Sequence, residues 1–371
     1  MLGRVLFGRW TQCVLLLAAA VAPLFGQENG KLQLHFMNVG QGDGAVLISP
    51  LGEVVLFDDG VRNNCDLPVS YLQQLGVTTV DYHIASHYHD DHIGCAEEVL
   101  TAYPLQKSAI DRGESGTTDT FERYEEKVRP KRQQATKDMS IILDEGSTHP
   151  VKIEFLVVNG NGFPVKNEND KSVVALVRFG VFEAEIGGDL SGARTSSYRD
   201  VETPVAAGIP QVEVYKVHHH GSEHSSNATW LSHIKPMIAI ISAGVNNKHK
   251  HPTQAALKRL HDAGVRTYWT TAGSGHVQPQ GGLDVVGGNI IVEVAPGSTT
   301  FSVTHSGMLV DTYNMWEAGA GAATLPAFAW SKRSNVYHFA NCFFVRNISP
   351  ANLEQGSAAP AGKTLHSGCP R

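Results

Sequence analysis

Residues 80–92 read Val80-Asp81-Tyr82-His83-Ile84-Ala85-Ser86-His87-Tyr88-His89-Asp90-Asp91-His92, an apolar strand pattern that runs straight into histidine and aspartate. Three imidazoles and two carboxylates fall within the six residues His87 to His92. Neutral imidazole and carboxylate are the usual ligands of zinc and similar divalent ions. Residues two apart at a strand end can point to one side, so His87 and His89 can share one ion. Asp91 and His92 lie one turn further on, placed to hold a second ion nearby. The competing reading is a solvated loop with chance histidines, but a His-x-His-x-Asp-His run at a strand end has few other uses.

Two distant pieces end strands in the same way. Gly187-Gly188-Asp189-Leu190 closes an apolar run on a carboxylate flanked by glycine. Asp189 is the candidate to bridge two ions, although a Gly-Asp pair alone reads as a turn. Lys216-Val217-His218-His219-His220-Gly221-Ser222 again brings an apolar strand to histidine. One of His219 and His220 is expected to ligate the second ion, with His220 favoured. The other is expected to touch substrate or orient a ligand. His83 sits inside a strand and reads as a satisfied core residue.

Around these pieces the pattern is strand-rich. Leu32 to Phe36 alternates like a half-buried strand, Asn38 to Gly44 is a glycine-rich turn, and Ala45–Ile48 and Val54–Phe57 suggest a hairpin. Further strands are expected at Ile153–Val158, Val173–Phe179, Val181–Ile186, Val212–Val217, Met237–Ile241 and Arg266–Trp269. Helices are expected at Asp66–Leu75, Cys95–Tyr103 and Thr253–Ala263. Gly113 to Lys137, rich in charge and hydroxyls, suggests a mobile flap or an exposed helix. Strands with helices set between them imply a layered α/β architecture. After about residue 306 the character changes, with an Ala- and Gly-rich stretch at Glu317–Leu325 that reads as a linker.

The chain has 371 residues, enough for one large domain or two small ones. Its formal charge is −6, which argues against non-specific nucleic-acid binding through bulk charge but not against a local basic groove. Arg4 and Arg9, the apolar run Val14–Val21 and the small residues after it fit a secretory signal peptide, residues 1–26. An uncleaved membrane anchor is the alternative. Cys65, Cys95, Cys342 and Cys369 remain after that segment. In an exported chain they can form two disulfides, with Cys342–Cys369 the first expectation and free thiols the alternative.

The order of these pieces resembles the metallo-β-lactamase superfamily: the His-x-His-x-Asp-His run, the later Asp189, the still later His219-His220. Within it, the chain resembles the hydrolase domain of ComEC-type competence proteins. Phe36-Met37-Asn38-Val39-Gly40-Gln41-Gly42-Asp43 resembles their opening strand and turn, and Phe57-Asp58-Asp59-Gly60 their acidic turn. Asn167-Glu168-Asn169-Asp170-Lys171-Ser172 resembles their Asn-rich segment, His219-His220-Gly221-Ser222 their His-His-Gly-Ser signature, and Asn246 with His251-Pro252 a later Asn…His-Pro element. The likeness covers roughly residues 31–305 and leaves 306–371 as an extension. It implies an α/β fold, a four-layer αββα sandwich.

The resemblance also implies two divalent ions, Zn²⁺ or alternatively Mn²⁺, held by His87, His89, Asp91, His92, Asp189 and His220. Asp58, Asn169 and Asn246 would support them, and Asp91, Asp189, His219 and His251 would serve catalysis. The implied reaction is hydrolysis by a hydroxide shared between the ions. A phosphodiester substrate, nucleic acid included, is favoured over a lactam, thioester or phosphocholine ester. An inert, exported metal-binding protein is the reading from another class. The chain departs from the family in two places. Cys95 stands where a second glycine often follows the metal loop. The family's usual further metal-binding histidine, between the first cluster and the bridging Asp, has no clear counterpart. His149 is the sole histidine from Ile93 to Gly188 and reads as a surface residue. The polytopic channel of full competence proteins is not in this sequence, so neither DNA transport nor a stable membrane partner carries over.

Overall fold

The computed structural model describes residues 28–137, 139–307, 309–316 and, further on, 328–339, 348, 352–356 and 360–366. The expected signal segment, the Glu317–Leu325 linker, Cys342 and Cys369 lie outside the described residues.

Among the described residues, seventeen strands build two sheets. The first uses β1 (Leu32–Phe36), β2 (Gly44–Ile48), β3 (Val54–Asp59), β4 (Val80–Ile84), β5 (Leu105–Asp111) and β6 (Arg132–Gln134). The second uses β7 (Ser140–Leu143), β8 (Val151–Val157), β9 (Val174–Phe179), β10 (Phe182–Gly187), β11 (Val214–Lys216), β12 (Ile238–Ile241), β13 (Arg266–Trp269) and β14 (Asp284–Val286). The chain then returns to the first sheet as β15 (Ile290–Val294), β16 (Thr300–His305) and β17 (Leu309–Asn314). The orders are β17-β16-β15-β1-β2-β3-β4-β5-β6 and β14-β13-β12-β11-β10-β9-β8-β7. β18 (Phe328–Ser331), β19 (Val336–Phe339), β20 (Leu353–Gly356) and β21 (Thr364–Leu365) form a separate four-stranded sheet.

Alternation of apolar side chains gives each sheet two faces to bury. Leu34, Phe57, Val177 and Ile240 meet between the sheets. The outer face of the first sheet packs Val46, Leu56 and Val80 against helices α1 (Asp66–Gln74), α3 (Ala96–Ala102) and α4 (Asp119–Val128), with the short α2 (Asp90–Ile93) between. The outer face of the second sheet packs Leu176, Tyr215 and Ile241 against α5 (Glu202–Val205), α6 (Ala228–Ile234) and α7 (Gln254–Asp262). The result is the four-layer αββα sandwich. Among the described residues no helix is long and apolar enough to cross a membrane.

The structure differs from the sequence reading in three places. Of the two readings of Gly113–Lys137, flap or exposed helix, the helix holds at residues 119–128, but one of its faces is buried. The Thr118 hydroxyl accepts from Phe121 N and starts the helix, and Phe121, Tyr124 and Val128 share its buried face. The first sheet also runs past residue 305. Ser306 and Gly307 take left-handed φ values of 50° and 85°, and the chain turns there into β17, paired as Thr304↔Val310. β17 lies at the sheet edge with Leu309 and Val310 exposed, so its sequence lacks the alternation of a buried strand. Finally, the disulfide seen is Cys65–Cys95, which joins the start of α1 to the start of α3. Cys95, which stands where a second glycine often follows the metal loop, has a φ of −104° that any residue adopts and makes that bond.

Candidate metal centre

β3 and β4 run parallel in one sheet, and β10, β11 and β12 run parallel in the other. The candidate site lies at their carboxyl ends, where open α/β sheets bind ligands. Asp58 ends β3, Ser86 to His92 follow β4, Asp189 follows β10, and His218 to His220 follow β11. Two glycines let these ends approach. A Cβ at Gly188 would stand 2.3 Å from Ser86 Oγ, and one at Gly42, whose φ is 142°, would stand 2.3 Å from the Asp91 carbonyl oxygen.

Among the described residues, the donor atoms form four overlapping groups, two of which include Asp43, and the expected ligands fill the other two. His87, His89 and Asp189 form one, and Asp91, His92 and His220 form the other, each with donor atoms within 4.8 Å of one another. Asp189 lies between them. Its Oδ1 is 3.2 Å from His92 Nε2 and 3.5 Å from His220 Nε2, and its Oδ2 is 4.0 Å from His87 Nε2. His220 Nε2 is also 3.3 Å from Asp91 Oδ2. Six of the expected ligands are thus brought together, with His220 rather than His219 in the second group.

The chemistry of these atoms fits divalent cations. His92 Nε2, His220 Nε2 and Asp189 Oδ1 are buried and make no hydrogen bond. A buried polar atom without a partner costs about 1–3 kcal/mol, and a cation would satisfy all three at once. Burial opposes charge on Asp189, yet the imidazoles of His219, His220 and His92 hold its pKa well below the usual carboxylate range. Burial also opposes charge on His220, but Asp189 and Asp43 push its pKa up to about 10. Negative charge in excess of what the protein's own cations supply is what a metal ion relieves.

The imidazoles of His92, His87 and His220 are each aimed by a partner on the far nitrogen. His92 Nδ1 donates to Asp58 Oδ2 at 2.7 Å. Asp58 also accepts from Ser86 N at 2.8 Å and from the Ser86 hydroxyl at 2.7 Å. Ser86 Oγ in turn lies 3.0 Å from His87 Nδ1. His220 Nδ1 lies 3.0 Å from the Ser242 carbonyl and 3.1 Å from Asp43 Oδ1. Buried Lys216 bonds both Asp43 oxygens, at 2.7 and 2.8 Å, and keeps that carboxylate ionised against its burial.

Strain concentrates here. Asp58, His219 and His220 have left-handed φ values of 50°, 53° and 55°. His218 anchors that turn, donating from Nδ1 to Glu202 Oε1 at 2.8 Å and from Nε2 to Glu185 Oε1 at 3.0 Å, all three side chains being buried. The same Glu202 accepts from Ser226 N and Asn227 N. On the other side, Arg112 binds both oxygens of Glu168 at 2.7 and 3.0 Å, and Glu168 accepts from Tyr88 N inside the metal loop.

The remaining expected residues divide. Asn169 is buried and its amide lies 3.2 Å from His219 Nε2. His251 is buried, with its ring 5.3 Å from that of His219 and 6.0 Å from that of His220. Asn246 is exposed and is corrected by its neighbour. Asn247, buried, accepts from His251 N and donates to His251 O, because the left-handed φ of Asn246 turns the next side chain inward. His149 is exposed on the surface, and His83 is a core residue bonded to Asp59 at 2.9 Å. The sequence reading missed the roles of Asp43, Ser86, Lys216, Asn247, Arg112, Glu168, Glu185, His218 and Glu202. The one signal for Lys216 was a lysine at the end of an apolar run, which in a buried strand demands a carboxylate partner.

Comparison with known proteins agrees with this geometry. The model of the metallo-beta-lactamase superfamily matches residues 39–232. The chain is 25% identical over 281 residues to ComE operon protein 3 of Bacillus subtilis, an alignment covering 70% of this chain and 34% of that protein. It is 27% identical over 235 residues to Recombination protein 2 of Haemophilus influenzae, covering 62% and 26%. It is 28% identical over 258 residues to competence protein ComA of Neisseria gonorrhoeae, covering 68% and 33%. The chain thus spans about a third or less of the length of these relatives. Among solved structures it is similar to a protein of Parabacteroides distasonis described as a metal-dependent hydrolase, at TM-score 0.40 and 13% identity, covering 64% of this chain and 93% of that one. It is also similar to a metallo-β-lactamase of Cronobacter sakazakii, at TM-score 0.36 and 15% identity, covering 49% and 75%. With the family model across more than half its length and both donor groups in place, the chain belongs to the metallo-β-lactamase superfamily and is a metal-dependent hydrolase related in sequence to ComEC-type competence proteins.

Proposed function

We propose that this hydrolase is an exported two-ion phosphodiesterase with nuclease-like specificity. The observation that carries the reading is the pair of donor groups set on either side of Asp189. Divalent ions bound there, Zn²⁺ or Mn²⁺, would supply an activated water at neutral pH and positive charge toward phosphoryl oxygens.

The chain's own residues do the rest. His87, His89 and Asp189 would hold one ion, and Asp91, His92, His220 and Asp189 the other. His251 flanks the centre, and its buried Nδ1 makes no hydrogen bond. Burial, with His220 and His219 beside it, lowers its pKa to about 3, so the ring is neutral and carries one N–H. That N–H is placed to donate to a phosphoryl oxygen. Lys248, His249 and Lys250, all exposed, precede His251 and give the rim a basic lip suited to a polyanion. The names of the relatives, two competence proteins and a recombination protein, favour DNA among phosphodiesters.

Export rests on the charged, apolar, small-residue pattern of residues 1–26, and the Cys65–Cys95 disulfide is consistent with an oxidising compartment. N-terminal sequencing of protein from a native or related host tests it, and an intact Met1 on cytoplasmic protein refutes it.

A substrate panel on metal-loaded protein tests the activity. Bis-p-nitrophenyl phosphate and linear DNA should be hydrolysed and nitrocefin spared. Turnover of nitrocefin alone would replace the reading with a lactamase. No turnover with ions bound would make this a metal-binding protein without catalysis.

A further inference from the structure

We infer that His219 is a ligand of the first ion, beside His87, His89 and Asp189. The inference rests on the two-ion reading above and goes beyond it, because that reading leaves the first group with three donor residues, His87, His89 and Asp189, where a tetrahedral ion takes four ligands.

The two oxygens of Asp189 divide the surrounding imidazoles. Oδ1 faces His92 at 3.2 Å and His220 at 3.5 Å. Oδ2 faces His219 at 3.5 Å and His87 at 4.0 Å. Donor atoms that share one tetrahedral zinc at about 2.0–2.2 Å stand roughly 3.3–3.6 Å apart. The His219 Nε2 to Asp189 Oδ2 separation falls in that range, on the same oxygen that His87 addresses. The carboxylate thus presents one oxygen with two imidazoles on each side.

No histidine between Ile93 and Gly188 competes for the fourth place. His149 lies exposed on the surface, near Gly297. The chain holds His219 where it is at a cost in backbone conformation. Its φ and ψ are 53° and 42°, a region that a residue with a Cβ enters only when the surroundings enforce it. Here His219 N donates to the Gly188 carbonyl at 3.1 Å, and Ser222 N donates to the His219 carbonyl at 2.8 Å. The first bond ties His219 to the residue next to Asp189, so imidazole and carboxylate are positioned from one backbone contact.

The environment of the ring agrees. Its side chain retains 12% of its exposure, so the ring is held inside the centre. The Asn169 amide nitrogen lies 3.2 Å from Nε2 and 3.4 Å from Nδ1, and Asn169 Oδ1 is buried with no hydrogen bond, so Asn169 packs along the edge of the ring.

The test is metal binding by chelator-stripped protein, with no substrate present. The variant is His219→Gly, since glycine takes a left-handed φ without strain and the turn survives. Wild-type protein titrated with Zn²⁺ should bind two ions. His219→Gly should lose affinity for one ion by at least the ~10–100-fold typical of damage to a metal site. With Co²⁺, its visible absorption should change, and free imidazole should restore both spectrum and affinity. His220→Ala should weaken the other ion, and His251→Ala should weaken neither. Far-UV circular dichroism establishes that the variants fold, and His219→Gln replaces any glycine variant that does not. Wild-type affinities and an unchanged Co²⁺ spectrum in the His219 variant would overturn the assignment and return His219 to the substrate side. Wild-type protein that binds no metal would overturn the two-ion reading itself.

Discussion

His92 Nδ1 stands 2.7 Å from Asp58 Oδ2, and both side chains are buried. The bond fixes which nitrogen of His92 carries the proton, so Nε2 faces Asp189 unprotonated once an ion is present. Asp58 also accepts both bonds from Ser86, and it therefore sets the whole loop that follows β4. Asp58→Ala should cost about 10–100-fold in affinity for the ion that His92 serves, with the fold retained. Competitive titration against a chromophoric chelator measures it. Unchanged affinity would mean that packing alone orients His92.

Asp189→Asn should abolish turnover far more than stability. The change keeps the volume and removes a charge that faces His87 on one side and His92 and His220 on the other. One ion should be lost on dialysis, as elemental analysis would read. Near-normal kcat with two ions bound would reduce Asp189 to a turn residue.

His251→Ala should keep both ions and lower kcat by about 10²–10⁴-fold, the usual worth of a positioned donor or acid. Loss of an ion in this variant would place His251 among the ligands. Unchanged kinetics would leave it as a loop residue held by Asn247.

Glu202→Ala should destabilise the chain by about 3–5 kcal/mol, as expected when one partner of a buried charged pair is removed. It strips His218 of one carboxylate and leaves Ser226 N and Asn227 N without their acceptor. Urea denaturation of metal-free protein tests this. A loss under 1 kcal/mol would mean that Glu185 alone holds the His218 turn.

Glu213 links stability to pH. Burial raises its pKa from 4.5 to about 7, despite bonds from Glu183 N and Trp316 N. Between those values the folded chain keeps a proton that the unfolded chain has released, so stability falls as pH rises through that window. Below pH 4.5 this penalty is absent, and above pH 7 it is complete, at most about 3 kcal/mol. Denaturation of wild type and Glu213→Gln at pH 5 and pH 8 should show a smaller pH difference in the variant. Equal differences would place the titration elsewhere.

Much of the centre was legible because ligands of both ions follow the end of one strand, β4, where spacing and geometry coincide. His87, His89, Asp91 and His92 are adjacent in sequence, and a strand end delivers them to one side. The supports were not legible. Lys216 and Asp43 are 173 positions apart, and nothing local in either residue names the other. Asn246 was singled out and Asn247 turned out to hold His251, since a shift of one residue depends on the left-handed φ that precedes it. Glu185, His218 and Glu202 come from three elements and read separately as a strand residue, a histidine in a tract and a helix end.

By itself the sequence determined the class of chemistry, the layered α/β plan and four candidate ligands, His87, His89, Asp91 and His92, because these follow from residue type and short-range spacing. Tertiary structure decided the choice between His219 and His220 for the second group, the pairing of Cys65 with Cys95, and the division of the two Asp189 oxygens. Each of these depends on which atoms of distant segments meet within about 4 Å, the range over which hydrogen bonds and ion pairs act. Two sheets closing face to face bring β4, β10 and β11 to that range, and the order of residues along the chain does not encode the angle at which they meet.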